Sequence, residues 1–181
     1  MRARPFLIKG VRVIAALVAL FLLIATVPAV SQLRKWHMNS VFLKCITSAT
    51  DDTDAGVRAT RFVAGIKDPE VLRDLALLCE SRWRDVSVRC LYEQGWISCI
   101  RRLGELGTEG AVRELVFFLT SGYRGEMPAD WIAESLVATG PPAIPYLERV
   151  AAGTERDRVV ATRILQAIRE HSENSRSEDA R

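Results

Sequence analysis

The stretch Leu103–Val112, LGELGTEGAV, carries the pattern that decides the fold. Gly107 suits the left-handed residue that ends a helix, and Thr108 follows it with a side-chain oxygen that can cap the next helix. The stretch Leu136–Ile144, LVATGPPAI, repeats the arrangement, with Gly140 at the end of a helix and prolines in the first turn of the next. Both stretches predict two consecutive helices joined by a short turn at a glycine.

The same order recurs along the chain. Val57–Ile66 matches Val159–Ile168 at five of ten positions, and the offset between them is 102 residues. Intermediate units are predicted at Ile100–Gly107 and Ile132–Gly140, and each unit is followed by a second helix. The second helices are predicted to start at Asp68–Val71, Thr108–Val112 and Pro141–Ile144. Because a helix pair cannot bury its apolar faces alone, the sequence predicts an all-α stack of such pairs.

These landmarks resemble the short HEAT-like repeats of the PBS-lyase type over about residues 55–170. The resemblance implies a short α-solenoid of HEAT-like antiparallel helix pairs. The predicted spacing is about 40, 33 and 28 residues instead of constant, because Cys79–Trp96 and Thr120–Asp130 are long. We predict a capping helix with a polar linker over residues 32–54, and a disordered tail over residues 171–181.

Residues 1–31 have the composition of a signal peptide or a membrane anchor. Val13–Val27 holds no charged residue and follows a basic segment that ends at Arg12. Small residues before Gln32 suit a cleavage site, whereas an uncleaved apolar run over residues 13–30 would anchor the chain in a membrane. Both alternatives stay open, and both place residues 32–181 outside the cytoplasm, either periplasmic or membrane-anchored.

The distribution of charge limits the classes of partner. The chain has 25 Lys and Arg residues against 22 Asp and Glu residues, yet its first 31 residues hold four basic residues and no acidic one. The positive excess therefore belongs to the N-terminal segment, which argues against a nucleic-acid-binding protein. If the anchor is retained, Arg34, Lys35 and Trp36 would lie at the membrane interface.

All four cysteines lie after the predicted export segment, in the part of the chain where disulfides are permitted. Cys79 and Cys90 lie almost symmetrically about Arg84, so a helix hairpin there would bring their sulfurs together. We predict a disulfide between them, with Cys45 and Cys99 as a second pair; the alternative is that the cysteines are small buried apolar residues. The absence of a CxxC motif and the presence of only two histidines give no metal site.

Candidate protein-binding residues combine arginine with aromatic side chains, the types enriched in binding hot spots. The resemblance also implies that second helices line a concave surface, which would place Arg73, Arg113 and Arg149 along one ridge. An acidic neighbour next to each of these arginines favours simple ion pairing on a solvated face, and Trp83 could instead pack on a helix end. The candidate residues are Trp83, Arg84, Arg113, Tyr123, Arg124 and Arg149.

The function that this pattern favours is a non-enzymatic, membrane-associated scaffold that binds another protein. The motifs GxSxG, HExxH, GxGxxG and the P-loop are absent, and the sequence predicts no cofactor, no small-molecule substrate and no nucleic acid. One alternative, implied by the resemblance to bilin lyases, is a lyase-like enzyme or enzyme accessory that uses Glu105, Glu109 or Glu134. Another is a structural subunit of a membrane complex, with residues 13–30 packed on other helices.

Overall fold

The computed structural model describes residues 30–83, 87–121 and 129–179, with side chains through residue 173. Over these ranges the protein is all-α and contains no strand, as predicted. No helix in these ranges is both long enough and apolar enough to cross a membrane. The predicted signal or anchor over residues 1–31, apart from residues 30 and 31, lies outside the described residues, as do Arg84, Tyr123 and Arg124.

The chain divides into two compact units, Met1–Val41 and Phe42–Arg181. Residues 30–47 are helical and form α1, which coincides with the predicted capping helix, and the division between the units falls within it. In the described part of the second unit, the remaining helices are α2 (Asp52–Val63), α3 (Pro69–Ser81), α4 (Arg89–Leu106), α5 (Glu109–Thr120), α6 (Ala129–Thr139), a short 3-10 helix (Pro141–Ala143), α7 (Ile144–Ala151) and α8 (Glu155–Asp179).

Side-chain caps begin several of these helices. The Asp51 carboxylate accepts a hydrogen bond from the backbone N–H of Asp54 at 2.8 Å, which caps α2. Asp68 and Thr108 cap α3 and α5 in the same way, and Pro69 is the first residue of α3. The two caps that the sequence predicts are therefore confirmed.

Two glycines end helices in a conformation that other residues rarely adopt. Gly107 follows α4 with a φ of 57°, and Gly140 follows α6 with a φ of 73°. No other described residue has a positive φ. These are the two glycines that the sequence predicts as helix ends, and they set where the first helix of a pair stops.

The helices of the second unit pack in two layers. Helices α2, α4, α6 and α8 contact one another in that order, and α3, α5 and α7 form a second row in the same way. Across α2 and α4, Gly56 lies against Gln94 and the Thr60 hydroxyl hydrogen-bonds to that of Ser98 at 3.1 Å. Both pairs are 38 residues apart, so these two helices run parallel and in register.

The second row shows the same parallel packing. Pro69 of α3 lies against Gly110 of α5, and Arg73 forms an ion pair with Glu114; both pairs are 41 residues apart. The number of residues between contacting positions is smaller for α4 and α6 than for α2 and α4, because Ser135 lies only 31 residues after its contact Gly104. The unequal spacing that the sequence predicts is therefore present in the structure.

Helix α4 lies at the centre of the core. It contacts α2, α3, α5 and α6, and half of its 18 residues are buried. Trp96 is fully buried and meets the ring of Phe118 edge-on, with 6.2 Å between the ring centroids. Gly95 allows the side chains of Ile46 and Cys79 to pack directly against the backbone of α4, because a Cβ atom there would lie 2.5 Å from Ile46 Cδ1 and 2.9 Å from Cys79 Sγ.

The C-terminal segment differs from the prediction of a disordered tail. Helix α8 continues through residue 179, where the sequence predicts disorder from residue 171. No glycine or proline interrupts this stretch, and the Ser172 hydroxyl donates a hydrogen bond to the Ile168 carbonyl at 2.8 Å. The segment lacks the apolar residues needed for a core, but it retains the local hydrogen bonding of a helix.

Candidate functional site

The predicted disulfide between Cys79 and Cys90 is not formed, and all four thiols are free. Cys79 is buried on the core side of α3 against Gly95, whereas Cys90 is exposed in the first turn of α4. Cys99 is also fully buried, near Cys79, and burial raises the pKa of both thiols. For Cys79 and Cys99, the alternative that they serve as small buried apolar residues describes the structure.

Trp83, a predicted contact residue, belongs to the core instead of the surface. Its side chain is 6% exposed, and the Arg89 guanidinium lies 4.8 Å from the centroid of its ring. The indole N–H is buried without a hydrogen-bond partner among the described residues. Trp83 thus packs at the end of α3, which leaves little of its surface for a partner.

The second-helix face, formed by α3, α5 and α7, carries the predicted arginines Arg113 and Arg149. The Tyr146 hydroxyl donates a hydrogen bond to the Glu109 carboxylate, and the Arg149 guanidinium lies 4.5 Å from the centroid of the Tyr146 ring. Hydrogen bonding to Glu109 raises the pKa of Tyr146, while the nearby charge of Arg113 acts in the opposite direction. Arg149 therefore stacks on a tyrosine that was not predicted as a site residue, and the charge of Arg113 acts on the same tyrosine.

The other arginine of this predicted ridge is neutralised. Arg73 pairs with Glu114 of the neighbouring helix at 3.2 Å and with Asp74 at 3.5 Å. For Arg73 this arrangement agrees with the prediction of ion pairing along the second helices, whereas no ion pair of Arg113 or Arg149 is found among the described residues. Mixed charges of this kind give a polar surface with both signs present, without a concentrated positive site.

A groove of about 570 Å³ runs between α2 and α4, on the first-helix layer. Small side chains form its floor, where Thr60 and Ser98 hydrogen-bond to each other. Val57 lines the α2 side and is 53% exposed, whereas Ile97 on the α4 side is only 5% exposed and reaches the groove with a small part of its side chain. We name this feature the α2/α4 groove; its lining residues are Asp52, Thr53, Gly56, Val57, Thr60, Arg61, Ala64, Gln94, Ile97, Ser98 and Arg101.

Two arginines line the same groove. Arg61 and Arg101 are both exposed, and neither is paired with a carboxylate in the described part of the chain. The Arg101 guanidinium instead stacks on Trp131 of α6, 4.2 Å from the ring centroid. This site was not predicted from the sequence, although Val57 and Ile97 are each followed four residues later by an arginine.

The carboxylates that the lyase alternative would use are dispersed. Glu105 pairs with Arg102 at 3.0 Å, Glu109 accepts from Tyr146, and Glu134 lies exposed on α6. Burial raises the pKa of a different carboxylate, Glu80 at the end of α3, to about 7. No group of acidic, histidine and cysteine side chains that could hold a metal ion occurs within the described residues.

Comparisons with protein-family models, with curated proteins and with solved structures each found no match. Within the described residues, the fold is all-α, with helices packed in two layers. Because fold alone does not determine function, the surface residues of the described helices are the basis for a functional proposal.

Proposed function

We propose that this chain is an extracytoplasmic, membrane-associated scaffold that binds another protein, built as a short α-solenoid of HEAT-like repeats. The observation that carries the proposal is the parallel, in-register packing of successive helices within each layer. Stacks of this type present extended surfaces to which several helices contribute, and such surfaces serve protein partners. Here the two layers provide the second-helix face and the α2/α4 groove.

A role in binding instead of catalysis accounts for the state of the polar side chains. Glu105 and Glu109 are engaged with neighbouring side chains, and Arg73 is held between two carboxylates. An acid or base needs a free group within reach of a substrate. The described surface instead offers arginines and aromatic rings, the side chains that contribute most to protein interfaces.

Association with a membrane is supported by the first unit. Its described residues, 30–41, are helical, with Leu33 72% exposed and Trp36 71% exposed. They directly follow the apolar run over residues 13–30, and Arg34 lies between Leu33 and Trp36 in the sequence. Tryptophan and basic residues at the end of an apolar segment are typical of a membrane–water interface.

The proposal is tested by fractionation followed by photo-crosslinking in intact cells. We expect the full chain in the membrane fraction or, if the signal is cleaved before Gln32, in the periplasmic fraction. A photoreactive residue at Gln94 or at Arg113 should crosslink to a discrete protein, whereas one at Arg163 on the exposed side of α8 should not. Recovery of the chain from the cytoplasm, or no crosslinked protein from either surface, would contradict the proposal.

A further inference from the structure

The α2/α4 groove combines apolar and basic side chains in matching positions on two helices. On α2, Arg61 follows Val57 by one helical turn, and on α4, Arg101 follows Ile97 by the same step. Because α2 and α4 run parallel and in register, both arginines lie toward the same end of the groove. The groove thus has an apolar section and, one turn further along, a section with two positive charges.

The two charges are available to a ligand. Neither guanidinium is compensated by a carboxylate in the ranges that the structure describes, although most other arginines near the groove are paired. Arg58, on the other side of α2, is bound to Asp54 at 2.8 Å, and Arg102 is bound to Glu105. Stacking on Trp131 orients Arg101 without neutralising it.

The spacing specifies what can bind. Four residues of a helix rise about 6 Å along the axis, which is also about the separation of side chains two positions apart in an extended peptide. A peptide whose carboxylate binds the arginines would therefore place another of its side chains over Val57 and Ile97. That side chain lies two positions from the carboxylate in an extended peptide, or four positions from it in a helix. Asp52, which lines the groove before Val57, disfavours a ligand that is negative along its whole length.

We propose that the α2/α4 groove binds a peptide segment of the partner protein in which an Asp or Glu lies two or four residues from an apolar residue. This inference rests on the proposed scaffold function and names the chemistry of the segment that the scaffold takes. Charge-assisted hydrogen bonds from Arg61 and Arg101 hold the carboxylate, and Val57, which is 53% exposed, provides most of the apolar contact beside the small exposed part of Ile97.

The test is selection of random peptides by phage display on the purified full-length chain in detergent. We expect the selected peptides to be enriched in an acidic residue two or four positions from an apolar one. Binding to the double variant Arg61→Gln, Arg101→Gln should be at least about ten-fold weaker, the loss expected for one charge-assisted hydrogen bond or more. Arg163→Gln, an exposed arginine on α8, removes a charge of the same sign and should leave binding unchanged.

A second measurement varies the peptide instead of the protein, so it does not depend on the folding of a variant. Replacing the acidic residue of a selected peptide by its amide should weaken binding to the unaltered chain by a similar factor. A selection without an acidic consensus, or peptides that bind the double variant as tightly as the unaltered chain, would overturn the inference. Peptides that bind elsewhere, together with crosslinks from Arg113, would leave the scaffold function standing and exclude only this groove.

Discussion

At the scale of single residues, the most restrictive position is one where a side chain is absent. Gly95 lies on α4 where the side chains of Ile46 and Cys79 approach the backbone so closely that no Cβ atom would fit. Nothing in the local sequence marks Gly95 as different from the glycines that end helices. Its role depends on which helices pack against α4, and that becomes visible only in the fold.

We expect Gly95→Ala to destabilise the protein by about 1–3 kcal/mol, because the new Cβ would overlap Ile46 Cδ1 and Cys79 Sγ. Gly65→Ala is the matched control, since no atom lies within 4 Å of the Cβ position there. Urea unfolding measures both variants. Equal stability of the two would show that α1 and α3 can move away from α4 without cost.

Glu80 gives the protein a dependence of stability on pH. Burial raises its pKa from 4.5 to about 7 in the folded state, so the folded state favours the neutral carboxyl group. Stability from this group is complete below about pH 4.5 and is lost as the pH rises through about 7. Relative to the unaltered chain, Glu80→Gln should therefore gain about 1 kcal/mol on going from pH 4 to pH 8, a figure reduced because the group is partly exposed.

Urea unfolding of the two proteins at both pH values measures this gain. A difference between the unaltered chain and Glu80→Gln that stays constant from pH 4 to pH 8 would show that the carboxyl group is solvated in the folded state. The variant would then inform only on packing at the end of α3.

At the scale of helices, starts and ends could be predicted because their causes are local. A glycine, a capping side chain and a proline act within one turn, so Gly107, Thr108 and Pro69 mark boundaries that can be read directly. The cysteine pairing could not be predicted in this way. It required a tight hairpin after α3, but α4 begins only at Arg89, which leaves Cys90 in its exposed first turn.

Thr108→Ala should destabilise the protein by about 1 kcal/mol, because the first turn of α5 loses the hydroxyl that accepts from the Ala111 N–H at 3.3 Å. Thr108→Ser keeps the hydroxyl and should retain most of the stability. Thermal unfolding of both variants measures the difference. If the serine variant lost as much stability as the alanine variant, packing of the threonine methyl group would account for the effect instead of the cap.

At the scale of the whole molecule, stability is distributed unevenly along the stack. Helix α4 contacts α2, α3, α5 and α6 and is also approached by Ile46 of α1, whereas α8 beyond Ile168 has exposed side chains through most of its described length. Hydrogen exchange should therefore be slowest in α4, and amides after Ile168 should exchange at least about ten-fold faster. Uniform exchange along both helices would mean that the protein opens only by complete unfolding.

The overall organisation could be predicted as far as helix pairs and their uneven spacing, because the apolar faces and turn residues repeat. Which surface residues come together could not be, since that depends on register across helices distant in sequence. Val57 with Arg61, and Ile97 with Arg101, form a shared pattern in the sequence. Only the parallel packing of α2 and α4 shows that the two patterns line one groove.

The stacking of Arg101 on Trp131 makes this tryptophan an intrinsic fluorescent probe of the α2/α4 groove. Trp96 and Trp83 are shielded in the core, so their emission should be insensitive to events at the surface, and the exposed Trp36, which does not line the groove, is replaced by phenylalanine for this measurement. Trp131 instead shares its ring face with a groove side chain, and any occupant that draws Arg101 away would change the polarity around the indole. Occupancy of the groove could then be followed by intrinsic fluorescence, without attaching a dye to the protein.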